Sequence, residues 1–150
     1  MDGAAMGYKL VVNEYAYSAE SMRAWLLLDA FGFSFGPRYV PMLTEEHDSE
    51  LSELTPARSF PVVLMDTPDL PMSIWEHAAM ADILFDRQPN SGIWPQSPEM
   101  KEVARSLAAR AREGFPSLQN LPMNLHDRYQ GFVANDVQKA DVQDLAALWG

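Results

Sequence analysis

The order in which apolar periodicity switches along these 150 residues constrains the fold more than any other feature of the sequence. Tyr8-Lys9-Leu10-Val11-Val12-Asn13 is a β-branched run ending in a turn former, which predicts a first strand. Ser18 stands at the N-cap of a predicted helix over residues 20–31, with Met22, Trp25 and Leu26 on one face and Gly32 as its stop. Residues 38–42 read as an edge strand, because Pro41 has no N–H to give to a ladder. Residues 44–54 read as a short, exposed, acid-rich helix. The apolar runs 60–65 and 70–75 flank Asp66-Thr67-Pro68-Asp69, which predicts a hairpin. A helix over 76–86 closes the series. The order βαβα-ββα specifies an α/β domain with a small mixed sheet over residues 1–87.

The periodicity then turns purely helical. Residues 88–97 are dense in Pro, Gly, Asn and Ser and form the predicted linker. Ser97-Pro98-Glu99 supplies an N-cap, a first-position proline and a first-turn acid for a long helix. Met100, Val103, Leu107, Ala111, Phe115 and Leu118 extend its apolar stripe until Leu121-Pro122 ends it. After a loop over 124–134, Asn135 and Gln138 have capping-box spacing. A last helix follows from Asp136, with Val142, Leu145 and Trp149 on one face. Residues 98–150 are therefore expected to be a partial all-α domain, since little chain remains to cover two apolar stripes.

Composition narrows the function classes. With 47% apolar residues the chain can bury a core. A formal charge of −10 argues against a nucleic-acid binder, whose phosphate contacts need a basic surface. The absence of Cys excludes a disulfide scaffold, a cysteine nucleophile and thiolate metal sites. His47, His77 and His126 lack metal-ligand spacing, so no metal is expected. The apolar run Ala24-Trp25-Leu26-Leu27-Leu28 stops at Asp29, far short of a membrane span, and the N-terminus has no basic region of a secretory signal. The expected compartment is the cytoplasm.

Three motifs, in order, resemble the cytosolic glutathione transferases. Tyr17-Ser18-Ala19-Glu20-Ser21-Met22-Arg23-Ala24-Trp25-Leu26-Leu27-Leu28 is similar to the Tyr-Ser-Ser-x-Ser-x-Arg-x-Trp-Leu-Leu-Leu pattern of a bacterial serine-type subgroup. Phe60-Pro61-Val62-Val63 resembles the family's Val-Pro-Val-Leu, with its cis-proline. Trp75-Glu76-His77-Ala78-Ala79-Met80 lies near the usual Glu/Asp-Ser-x-Ala-Ile. Gly92-Ile93-Trp94-Pro95 and Gly114-Phe115-Pro116-Ser117-Leu118 resemble that subgroup's linker and fourth helix. The resemblance implies a thioredoxin-like βαβαββα domain followed by the family's all-α domain, here with its first helices only.

The implied chemistry is thiol activation. A free thiol titrates near pH ~8.5 and its thiolate is the nucleophile, so a site must favour S⁻ at neutral pH. A hydroxyl hydrogen bond and the positive end of a helix both do so. The resemblance gives Ser18 the catalytic role, against the plainer reading that it only caps its helix. Tyr15 and Tyr17 are the rival donors. Phe60, Pro61 and Val62 would pair with the cysteinyl backbone of glutathione, in the manner of an added strand. At the γ-glutamyl end, the Glu76 carboxylate suits the ammonium and the His77 backbone N–H suits the carboxylate. Ala19, Glu20 and Arg58-Ser59 depart from the pattern, Glu20 placing an acid near the expected thiolate. Arg105, Arg110 and Arg112 are further basic candidates. These features imply an enzyme that uses glutathione as co-substrate to attack a small electrophile, as a homodimer. A glutathione-dependent isomerase resembling maleylacetoacetate isomerase and a non-catalytic glutathione- or protein-binding module are the alternatives.

Overall fold

The computed structural model describes residues 7–41, 44–56, 59–65 and 72–150. Its contacts divide into two units, Met1–Ile93 and Trp94–Gly150. The first holds a four-stranded sheet ordered β2-β1-β3-β4. The central strand β1, Tyr8–Val12, pairs parallel with β2, Phe35–Tyr39, and antiparallel with β3, Val62–Met65; β4, Met72–Ile74, pairs antiparallel with β3. Helices α1, Ala19–Ala30, α2, Glu45–Leu54, and α3, His77–Arg87, complete the order βαβαββα. This is the α/β architecture expected from the periodicity, followed by helices.

β1 is buried on both faces, as suits a strand with layers above and below it. Tyr8, Leu10 and Val12 join Ala24 and Leu28 of α1 and Met80 and Leu84 of α3 in one core; Val11 joins Val40, Leu51, Phe60 and Val62 in the other. On α1 the buried residues are Ser21, Ala24 and Leu28, while Leu26 is exposed. The buried face is thus rotated from the predicted Met22-Trp25-Leu26 stripe. Small side chains at 21 and 24 let the helix lie close to the sheet, which the larger residues would prevent.

Two further boundaries differ from expectation. The second strand is 35–39 rather than 38–42, and the proline within it is Pro37, opposite Leu10. β2 pairs on one side only, so an edge position accommodates a residue without an N–H. The turn predicted at 66–69, together with Met42, Leu70 and Pro71, lies outside the described residues.

In the second unit the long helix does not run to residue 121. It is split into α4, Pro98–Glu113, and α5, Pro116–Gln119. Pro116 cannot donate to the carbonyl of Arg112, four residues back, and its ring disfavours helical backbone at Phe115, which has φ −131° and ψ 60°. The side-chain amide of Gln119 donates to the Arg112 carbonyl instead. Asp141 of α6, Asp136–Trp149, accepts from the Ser117 backbone N–H and hydroxyl, at 3.3 and 2.5 Å, and so ties α6 to the start of α5. The Asn135–Gln138 capping box forms, with both bonds at 2.9 Å.

Candidate functional site

Topology brings three chain segments to one end of the sheet. β1 leads into α1 at that end. Val62, the first residue of β3, stands opposite Val11 near the end of β1. β4 runs antiparallel to β3 and finishes at Ile74, opposite Val63, so Trp75, Glu76 and His77 emerge there too. Ser18, the Phe60–Pro61–Val62 segment and the start of α3 therefore share one rim.

The first segment is a tight, hydrogen-bonded turn. The N–H groups of Tyr17 and Ser18 both donate to the Glu14 carbonyl. Ser18 has the extended backbone of an N-cap, φ −124° and ψ 102°, and its hydroxyl oxygen accepts from the Ser21 N–H at 3.2 Å. Its oxygen also lies 3.0 Å from the Ser21 hydroxyl oxygen. Ser21 is fully buried and accepts from the Asn13 N–H at 3.2 Å; the Asn13 side-chain amide donates to the Val40 carbonyl. The half-buried Ser18 hydroxyl thus stands at the open end of a bonded chain running in to the sheet edge. Neither Asn13 nor Ser21 was among the predicted site residues. The local signal was a serine at the third helical position after a serine cap.

The rival donor Tyr15 is closed off. Its ring packs edge-on to Tyr39, at 5.2 Å between centroids, and against Trp25, and its hydroxyl oxygen is buried. Burial holds its phenol well above the ordinary tyrosine range, and the Tyr39 phenol adds to this. Tyr17, by contrast, is exposed.

The second segment carries a cis peptide between Phe60 and Pro61. Phe60 and Val62 are buried in the core beneath α2, so what they offer a ligand at this rim is backbone. Arg58 lies outside the described residues.

The third segment starts α3. Glu76 is its N-cap residue, but the exposed carboxylate does not bond back to the helix. His77 reaches across to α1: one ring nitrogen, Nδ1, is 3.1 Å from a Glu20 carboxylate oxygen and the other, Nε2, is 2.9 Å from the Glu20 carbonyl. Arg23 also pairs with the Glu20 carboxylate, at 2.6 Å. The acid expected to oppose a neighbouring anion is therefore matched by the Arg23 guanidinium and held against the His77 ring. Two helix N-termini meet at this rim, each presenting N–H groups and a partial positive charge, an arrangement suited to anionic ligand groups.

The remaining candidates are placed elsewhere. In the second unit the Arg105 guanidinium stacks over Trp94 and that of Arg110 over Phe115. Among the described residues no group of His, Asp and Glu is arranged to hold a metal, and no helix is long and apolar enough to cross a membrane.

No protein-family profile matches the chain. Over 142 residues it is 27% identical to a probable maleylacetoacetate isomerase of Caenorhabditis elegans, covering 93% of this chain and 64% of that protein. Its fold is similar to a glutathione transferase homologue from Burkholderia gl BGR1 solved with bound glutathione, with TM-score 0.57 and 25% identity over 75% of this chain and 57% of that one. It is also similar to glutathione transferase Omega 2S from Trametes versicolor, with TM-score 0.71 and 14% identity over 98% of this chain and 62% of the other. Yeast Ure2p in complex with glutathione gives TM-score 0.67 and 17% identity, covering 99% of this chain and 62% of that one. The chain thus spans less than two thirds of the length of these relatives.

Proposed function

From a chain that has the glutathione transferase fold, we propose a serine-type, glutathione-dependent transferase that delivers the glutathione thiolate to a small electrophile. The observation that carries this reading is the meeting of the α1 and α3 N-termini through His77 and Glu20, beside the cis Phe60–Pro61 bond. Glutathione has two carboxylates, an ammonium and a thiol, and the rim offers a complement for each part of its γ-glutamyl-cysteinyl half. The α3 amides, including that of His77, would bind the γ-glutamyl carboxylate, and the exposed Glu76 carboxylate its ammonium. The backbone of Phe60, Pro61 and Val62 would pair with the cysteinyl unit. Ser18 would donate its hydroxyl proton to the sulfur. The positive end of α1 adds to this, so the thiol gives its proton to solvent near neutral pH and the thiolate attacks the electrophile.

We place the protein in the cytoplasm and take its working form to be a homodimer. The likeness to the nematode protein supports a second reaction, isomerisation, in which the same thiolate adds to a conjugated substrate and is later expelled. Assays of wild type and Ser18→Ala against a panel of electrophiles and a maleyl-type isomerisation substrate separate these readings. Turnover that depends on Ser18 is expected. Glutathione binding without turnover of any substrate would leave a non-catalytic binding module, and turnover unchanged in Ser18→Ala would remove Ser18 from the mechanism.

A further inference from the structure

We propose that the His77 side chain is a positioning residue that keeps Glu20 from competing with the ligand at the two helix N-termini. This proposal rests on the glutathione reading and adds a side chain to it. Glu20 is the second residue of α1, an acid in the first turn of that helix. Backbone N–H groups in a first turn have no partner within the helix and attract an anion in reach. A carboxylate carried on the same turn is therefore a built-in rival for the anionic groups a ligand brings. The structure shows that rival held. Its two oxygens are taken one each, Oε1 by the Arg23 guanidinium at 2.6 Å and Oε2 by Nδ1 of His77 at 3.1 Å. Nε2 of the same ring lies 2.9 Å from the Glu20 carbonyl, so the residue is held by its backbone as well as its side chain.

The two holds differ in kind. Arg23 lies one turn along α1, and both it and Glu20 are exposed, so that pair forms and breaks with the rotamers of a single helix. His77 comes from the other helix. It is the first residue of α3, and its ring is largely shielded. A carbonyl and a carboxylate only accept, so the ring makes both bonds when it carries both protons, and it then opposes the Glu20 charge. The other acid of α3 at this rim is Glu76, which the glutathione reading gives to the ligand ammonium. His77 thus serves the site twice, its backbone N–H toward the γ-glutamyl carboxylate and its ring on the acid that would repel that carboxylate. Without the ring, Glu20 would be held by Arg23 alone. Its Oε2 could then turn to the first-turn amides or face the ligand, and either position weakens the binding of an anion.

The test is the affinity for S-methylglutathione, which keeps both carboxylates and has no thiol to ionise. Calorimetric titrations compare wild type with His77→Ala, His77→Gln, Glu20→Gln and the double variant Glu20→Gln/His77→Ala, in low and high salt at about pH 6, where a histidine ring is mostly protonated. His77→Ala should bind about two- to fivefold more weakly in low salt, the worth of one charge at a helix end, and the loss should shrink in high salt. His77→Gln, which keeps a neutral donor and no charge, should fall between, and it carries the test if His77→Ala does not fold. Glu20→Gln should bind at least as well as wild type. The double variant should match Glu20→Gln, because removing the rival makes its restraint unnecessary. Equal affinity of wild type and His77→Ala in low salt would overturn this proposal alone. So would a loss that persists in the double variant, which would mark a ring contact with the ligand or lost packing. Wild type that binds neither S-methylglutathione nor glutathione would overturn the underlying reading, and this proposal with it.

Discussion

Replacing Glu20 by Gln and His77 by Ala, singly and together, measures the link between the two helix N-termini. Both ring nitrogens of His77 face oxygens of Glu20, at 3.1 and 2.9 Å, and only the doubly protonated ring donates from both. The side chains are 16% exposed for His77 and 49% for Glu20, which sets the scale between a solvated pair and a buried one. Exposed pairs contribute about 0.2–1 kcal/mol. With one partner largely shielded, the coupling energy should lie near the top of that range, about 1 kcal/mol. Glu20→Gln alone should cost somewhat more, about 1–2 kcal/mol, because it also loses the Arg23 pair and an acid in the first turn of α1. Urea unfolding of the four proteins at pH 5.5 and pH 8.5, in low and high salt, gives the cycle. The coupling should be present at the lower pH, shrink as the imidazolium loses its proton, and weaken in high salt. Additivity of the two substitutions to within about 0.3 kcal/mol at pH 5.5 would refute the clamp. So would a coupling indifferent to both pH and salt, which would point to packing.

Two other outcomes follow from the same structure. A Cβ at Gly114 would stand 2.6 Å from the Arg110 backbone oxygen, which cannot move without opening the last turn of α4, so Gly114→Ala should destabilise by about 1–3 kcal/mol in urea unfolding; a loss below about 0.3 kcal/mol would contradict that crowding. Burial holds the phenols of Tyr8 and Tyr15 above their ordinary range, the nearby Arg87 charge opposing this at Tyr8. The folded chain therefore keeps those protons when the unfolded chain begins to lose them near pH ~10, and stability should fall as pH rises beyond that point. Melting temperatures measured from pH 8.5 to 11 should decline, and Tyr8→Phe with Tyr15→Phe should flatten the decline; an unchanged slope in the double variant would assign it to other groups.

Much of the fold was legible because its signals are local. The β-branched run of β1, the serine cap of α1 and the Asn135–Gln138 box each lie within a few residues of the structure they specify. Where neighbours compete, local signals fail. Phe115 and Leu118 keep the three-to-four apolar spacing of α4, and that periodicity outweighed Pro116, whose missing N–H ends the helix. In β2 the proline rule for edge strands was sound but was attached to Pro41, while the strand carries Pro37. On α1, size mattered more than hydrophobicity, since Ser21 and Ala24 face the sheet and Leu26 does not. At the candidate site, Ser18 was marked by its place before a helix. The contact between Glu20 and His77 spans 57 positions and has no local trace. It appears only when the antiparallel register of β3 and β4 returns α3 to the end of the sheet where α1 begins.

The most direct measurement of the central claim is the number of protons released when glutathione binds. Near pH 7 the free thiol, titrating at about 8.5, is almost wholly protonated, so a site that holds thiolate must expel a proton. Calorimetric titrations in buffers of different ionisation enthalpy count that proton. Wild type should release most of one proton per glutathione bound, and Ser18→Ala should bind with little release. Binding that releases no proton, or releases it equally without the Ser18 hydroxyl, would contradict the account.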